Sequence, residues 1–209
     1  MPTENNASPP IPTAVSELDI LNTALTLAED KGWDNIRLYQ VADQLNISLE
    51  EIRLYFTDLN GVANAWFRQA QLKMISTPDD KIINQPAWHR LYLTMLKWLD
   101  HVSEHHNITA QILRTKLHPP HVHHWAPMVF DLSTLIHWWL DASRIASVGR
   151  QRQIAEIGLT AIFLSTLVYW ARDRSSGQIK TKALLKRRLK QADRVMGKCS
   201  RRLFWNTAL

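Results

Sequence analysis

Apolar positions along this chain recur mostly at a 3.6-residue period, and almost nowhere alternate as a strand would. Ser16-Glu-Leu-Asp19 resembles a capping box, Ile20, Leu21, Ala24, Leu25 and Ala28 form an apolar stripe behind it, and Gly32 stands where a helix would end. After Trp33-Asp34-Asn35 the period resumes at Leu38, Val41, Ala42 and Leu45, and Asn46 suits a left-handed stop. Ser48 then caps a short third helix, with Glu51 completing a capping box and Ile52, Tyr55 and Phe56 facing inward. Three short helices joined by a tight turn predict a helix-turn-helix head.

A fourth helix from about residue 58 carries Val62, Ala65, Trp66, Ala70 and Met74, and Ser76 to Gln85, with Pro78 and two aspartates, reads as a boundary loop. Further helices are expected at about 87–105, 108–117, 125–146, 150–173 and 178–202. The predicted fold class is therefore all-α. Its predicted parts are a disordered tail over 1–16, the helix-turn-helix domain over 17–66 and a helical C-terminal domain over 67–204 that ends in a basic amphipathic helix.

Composition narrows the setting. With 209 residues and 45% hydrophobic content the chain can bury a sizeable core. The single cysteine, Cys199, allows no internal disulfide, and the first fifteen residues fit neither a secretory signal nor a transit peptide, so a cytoplasmic location is expected. The longest uncharged stretch, Ile157 to Ala171, is short of the roughly 20 residues a membrane span needs, and is expected to be a core helix.

Charge changes the picture more. The net charge is +6, yet residues 1–74 hold five basic residues against ten acidic ones, whereas residues 172–202 hold twelve against two. The head is acidic and the tail basic. In the tail, Leu185, Leu189, Ala192, Met196, Cys199 and Leu203 share one stripe. Such a helix packs its stripe on the bundle or a second subunit, or docks on an anionic membrane, or touches nucleic acid without specificity.

The candidate nucleic-acid contacts lie in the head. Arg53 is the strongest cationic one, one turn from Glu50, with Arg37, Tyr39 and Gln40 at the start of the preceding helix and Ser48, Leu49 and Tyr55 on the reading helix. Glu51 reads as a capping residue, while Glu50 has the chemistry to accept a hydrogen bond from a cytosine amine. Each of these also has the reading of a solvated surface residue. His118, His121, His123 and His124 crowd around a proline pair, but no Cys or Glu accompanies them and no metal site is assigned. Met128, Leu135, Trp138, Phe163 and Tyr169 are candidate walls for an apolar ligand pocket, although aromatics at helical spacing are more often plain core. No P-loop, G-x-S-x-G or H-E-x-x-H motif is present, which points away from an enzyme.

Residues 17–66 resemble the DNA-binding domain of the TetR family of transcriptional regulators. Ala24, Gly32, Trp33, Ile36, Val41, Ala42, Leu45, Ile47, Ile52, Tyr55 and Phe56 fall in register with that family's pattern. Arg37, Asn46, Arg53 and Leu59 depart from it, removing two expected phosphate contacts and adding two guanidinium groups. The resemblance implies a homodimer on a palindromic double-stranded operator, released by a small apolar ligand, with no cofactor. "WARDRSS" and the basic helix after it are also similar to the COQ9 family, which implies an alternative: a lipid- or isoprenoid-binding protein at a membrane surface that no longer reads DNA.

Overall fold

The computed structural model describes residues 15–76, 83–116 and 125–205, with side chains 116, 125–131 and 198–205 left out of the description. The expected N-terminal tail and the histidine cluster at 118–124 lie outside these residues. The described elements are helical, in the order α1 (Glu17–Lys31), a 3-10 turn (Trp33–Asn35), α2 (Leu38–Leu45), α3 (Leu49–Tyr55), α4 (Leu59–Ile75), α5 (Ala87–Ser103), α6 (His106–Lys116), α7 (Trp125–Ala142), α8 (Gly149–Trp170), a second 3-10 turn (Ser176–Gln178) and α9 (Ile179–Trp205).

Local chemistry sets these boundaries. Ser16 Oγ accepts from the Asp19 amide while the Asp19 carboxylate accepts from the Ser16 amide, so both orphan donors at the start of α1 are satisfied. Gly32 closes α1 at φ 83°, where a side chain would be strained and would crowd the Gln111 amide. Arg144 takes the left-handed conformation after α7 and the Ile145 amide returns to the Leu140 carbonyl, so α7 stops at Ala142, earlier than the expected 146.

Two cores result. The head core gathers Ile20, Leu25, Trp33, Val41, Ala42, Ile52, Phe56 and Trp66. Ile108 and Ile112 of α6 join it too, so the head draws part of its core from well beyond residue 66. The body core holds Met74, Met95, Trp98, Trp139, Phe163, Trp170, Leu185 and Leu189. α4 runs from one core into the other, contributing Trp66 to the first and Met74 to the second.

The basic helix α9 is a packed terminal helix along its described part. Thr181, Leu185 and Leu189 are buried, and α9 lies against α5 and α8. Several of its cations are committed locally: Lys182 pairs with Asp100 at 2.8 Å, Lys190 sits 4.5 Å from the Trp88 ring centroid and Lys186 5.9 Å from that of Tyr92. Its start is fixed by Asp173, whose carboxylate accepts from the amides and hydroxyls of both Ser175 and Thr181 at 2.6–2.9 Å. Burial alone would raise the Asp173 carboxyl pKa, but these four donors overcome it and hold the group well below the usual carboxylate range.

Candidate nucleic-acid interface

The reading helix is positioned by its own caps. Asn46 ends α2 at φ 55°, ψ 45°, which turns the chain sharply enough for α3 to cross α2. Ser48 Oγ accepts from the Glu51 amide at 3.1 Å and Glu51 accepts from the Ser48 amide at 2.8 Å. Glu51 is thus used in capping, and so is Ser48. Ile52 and Phe56 anchor the helix in the head core at 1% and 3% exposure.

The expected contact residues separate into free and engaged groups. Arg53, Glu50, Leu49 and Tyr39 are exposed, and among the described residues neither the Arg53 nor the Glu50 side chain has an ion-pair or hydrogen-bond partner. Arg37, by contrast, donates from Nη1 to the carbonyls of Asp34 and Ile36 at 2.9 and 2.7 Å, bracing the 3-10 turn. Gln40 Oε1 accepts from the Arg37 amide at 3.0 Å. The Tyr55 hydroxyl donates to the Val15 carbonyl at 2.9 Å, tying the end of α3 to the segment before α1.

One residue that sequence reasoning missed stands at the centre of this face. Leu54 is 83% exposed, the most exposed of the large apolar residues described. Roughly 100° per residue puts it about 200° around the helix from buried Ile52, on the ridge of Glu50, which lies four residues before it. That ridge, counted outward from the buried position, was the available signal. Beside it Leu38, Leu49, Glu50, Ile52, Arg53, Phe56 and Thr57 line a shallow crevice of about 440 Å³.

The head is coupled to the body through α6. The Trp33 amide donates to Gln111 Oε1 at 2.8 Å, and Thr115 donates to Asp34 at 2.9 Å. Trp66 Nε1 donates to Thr109 Oγ1 at 2.9 Å, and that hydroxyl donates on to the Val102 carbonyl. His101 lies against Trp66 with ring centroids 4.3 Å apart and planes tilted by 37°, and His105 meets the edge of the same ring while its Nδ1 lies 2.6 Å from Glu29 of α1. Burial lowers the His101 pKa, opposed by Glu104 and reinforced by Lys73 and His105, so the ring is held neutral at this joint.

The body shows a second unpartnered face. α8 buries Leu159, Ile162, Phe163, Thr166, Leu167 and Trp170, yet Ile154, Ile157, Leu164 and Val168 stand exposed on other positions of the same helix. Gly158 and Ala161 are exposed among them, small enough to let another helix approach. Counted from Gly149 to Trp170, α8 is long and apolar enough to cross a membrane by length and composition, while its uncharged stretch from Ile157 stays short of a span; one face of the helix lies in the body core, as expected, and the other is exposed.

Of the five expected pocket residues, the four whose side chains are described do not converge on one cavity. Phe163 packs edge-on to Trp98 at 5.3 Å within the core and Leu135 is half-buried, but Trp138 and Tyr169 are 47% and 42% exposed. The Met128 side chain lies outside the described residues. The reason is geometric: Trp138 precedes buried Trp139 by one position, and Tyr169 precedes buried Trp170, which turns each about 100° from the core.

Among solved structures, that of the TetR transcriptional regulator from Nitrosomonas europaea ATCC 19718 superposes on this one with a TM-score of 0.73. The two chains are 32% identical over 84% of this chain and 97% of the other. This chain belongs to the TetR family. The match spans head and body together, whereas the TetR resemblance in the sequence stopped near residue 66. The COQ9 family model matches residues 157–196, which are most of α8, the Asp173 turn and the first two thirds of α9. No curated protein matches the chain significantly. In this TetR chain the COQ9-like segment is the hairpin held by Asp173, with Leu159, Phe163, Trp170, Leu185 and Leu189 in the body core and Ile157, Leu164 and Val168 of α8 exposed.

Proposed function

We propose that this protein is a homodimeric, DNA-binding transcriptional regulator acting in the cytoplasm, in which two α3 helices enter successive major grooves of a palindromic operator. The observation that carries the reading is the outward face of α3, where Arg53 and Glu50 project with no partner from a helix anchored by Ile52 and Phe56. Arg53 supplies a guanidinium donor for a guanine edge and Glu50 an acceptor for a cytosine amine. Ser48, Leu49 and Tyr39 flank them. Arg37, Gln40 and Tyr55 act mainly by positioning, since their polar atoms already hold the turn, the α2 cap and the Val15 carbonyl.

The acidic head costs affinity for phosphates, so two heads acting together matter more here than in a basic head. The exposed stripe of α8, with Trp138 of α7, is the surface proposed to hold the two subunits together about a two-fold axis. A small apolar ligand in the body, near Leu135 and Phe163, would shift α6, and α6 carries Ile108, Ile112 and Gln111 into the head. Head separation would then no longer match one helical turn of DNA.

The lipid-binding alternative is supported by the COQ9-like segment alone, and the burial of Leu185 and Leu189 leaves that part of α9 no free apolar face for a membrane. The test is selection of sheared genomic DNA by the purified protein at about physiological salt, with Arg53→Ala in parallel. Enrichment of a discrete palindrome, lost in the variant, supports the regulator. Binding to anionic vesicles with no DNA enriched would replace it by the lipid reading.

A further inference from the structure

An exposed leucine on the outermost ridge of a helix that otherwise buries its apolar residues calls for an occupant. Leu54 is 83% exposed, while Ile52 two positions before it and Phe56 two positions after it are almost fully buried. Its side chain therefore projects away from the head core, in line with Glu50 and next to Arg53. Charged neighbours, Arg53 and Glu50 on one side and Glu51 on the other, leave an apolar spot about one side chain wide, too small and too polar at its rim for a protein interface. The spot does match the size of one methyl group on a base edge.

We infer that Leu54 is a specificity-determining residue that reads the 5-methyl group of thymine in the major groove. The inference rests on the regulator reading and adds a third chemistry to it: Arg53 donates, Glu50 accepts, and Leu54 makes the apolar contact that only thymine offers among the four bases. Together the three side chains favour a half-site that combines guanine, cytosine and thymine. Leu49, which is 53% exposed at the edge of the crevice, lies on the core side of this ridge and is the weaker candidate for the same contact.

The experiment uses the full-length protein and the site selected from genomic DNA, synthesised with each thymine in turn replaced by deoxyuridine, which removes only the methyl group. Binding is followed by fluorescence anisotropy. The wild type is expected to weaken about four-fold at one thymine per half-site, the factor that burial of one methyl group supports. Leu54→Ala is expected to bind thymine and deoxyuridine versions equally, with helical circular dichroism unchanged. Indifference of the wild type to every replacement would overturn the inference and leave the regulator standing. So would equal methyl dependence in wild type and Leu54→Ala. Failure to select any site would remove the regulator reading itself, and Leu54 with it.

Discussion

Replacing Ile157 by aspartate tests whether the outer stripe of α8 joins two subunits. Ile157 is 72% exposed in the single chain, the second position of a stripe that it forms with Ile154, Ala161, Leu164 and Val168. Covering an isoleucine side chain fully is worth about 2 kcal/mol, so roughly 1.5 kcal/mol remains to be gained when a second subunit covers it. Aspartate forfeits that gain and adds a carboxylate that must be desolvated without a partner, at a further cost of about 3 kcal/mol. The two-fold axis applies the change twice, which brings the penalty to about 9 kcal/mol, or more than a million-fold in Kd. The folded subunit itself should change by less than about 0.5 kcal/mol, because the position faces solvent there. Sedimentation equilibrium should therefore find a dimeric wild type and a monomeric Ile157→Asp at micromolar concentration, with matching circular dichroism. A variant that stays dimeric, with a Kd within about ten-fold of wild type, would refute the assignment of this face.

Two further predictions concern protonation. The buried His101 has a pKa lowered from 6.5, so the unfolded chain binds a proton that the native chain refuses; stability is fully present above about pH 6.5 and falls as the pH drops below it. Urea midpoints measured from pH 8 to 5 should decline less in His101→Gln than in wild type, and parallel declines would contradict this. Asp173 has the same sign of dependence in a lower range, since its depressed pKa contributes stability above the ordinary value of 3.8 that is lost as the pH falls towards the folded value. Asp173→Ala leaves the Ser175 and Thr181 donors unmatched and should cost about 3 kcal/mol in urea unfolding at neutral pH, and a loss below about 0.5 kcal/mol would rule out the knot as the support of α9.

Much of the head was legible because its signals are local. The capping boxes at Ser16 and Ser48, the left-handed Asn46 and the 3.6-residue stripes each depend on residues three or four apart, and the structure reproduces them. What escaped depended on contacts distant in sequence. Ile108 and Ile112 complete the head core from a helix that begins forty residues after the apparent boundary, and nothing in their own periodicity says which core they serve. Hydrogen bonds from Arg37 and Tyr55 to backbone carbonyls leave no pattern either, so both residues looked as available to DNA as Arg53 does.

The body was harder for a different physical reason. A helix that is apolar on two faces looks the same in sequence whether the second face meets its own chain, a second subunit or a membrane, so the stripe of α8 read simply as core. The exposure of Trp138 and Tyr169 was obscured in the same way: Trp138 and Trp139 are equally apolar, and only their angle about α7 separates an exposed ring from a buried one. Leu54 was legible too, since two positions from inward-facing Ile52 place it on the opposite side of the helix, but a lone leucine on a short amphipathic helix is usually counted with the core.

The central claim is that α3 reads DNA through a small face on which the charges of Arg53 and Glu50 cancel. Hydroxyl-radical footprinting of the full-length dimer on its selected genomic fragment tests it most directly. The account predicts two symmetric protected patches on one side of the duplex, centred about one helical turn or a whole multiple of it apart, and their loss with Arg53→Ala. No protection, or protection unchanged by Arg53→Ala, would contradict it.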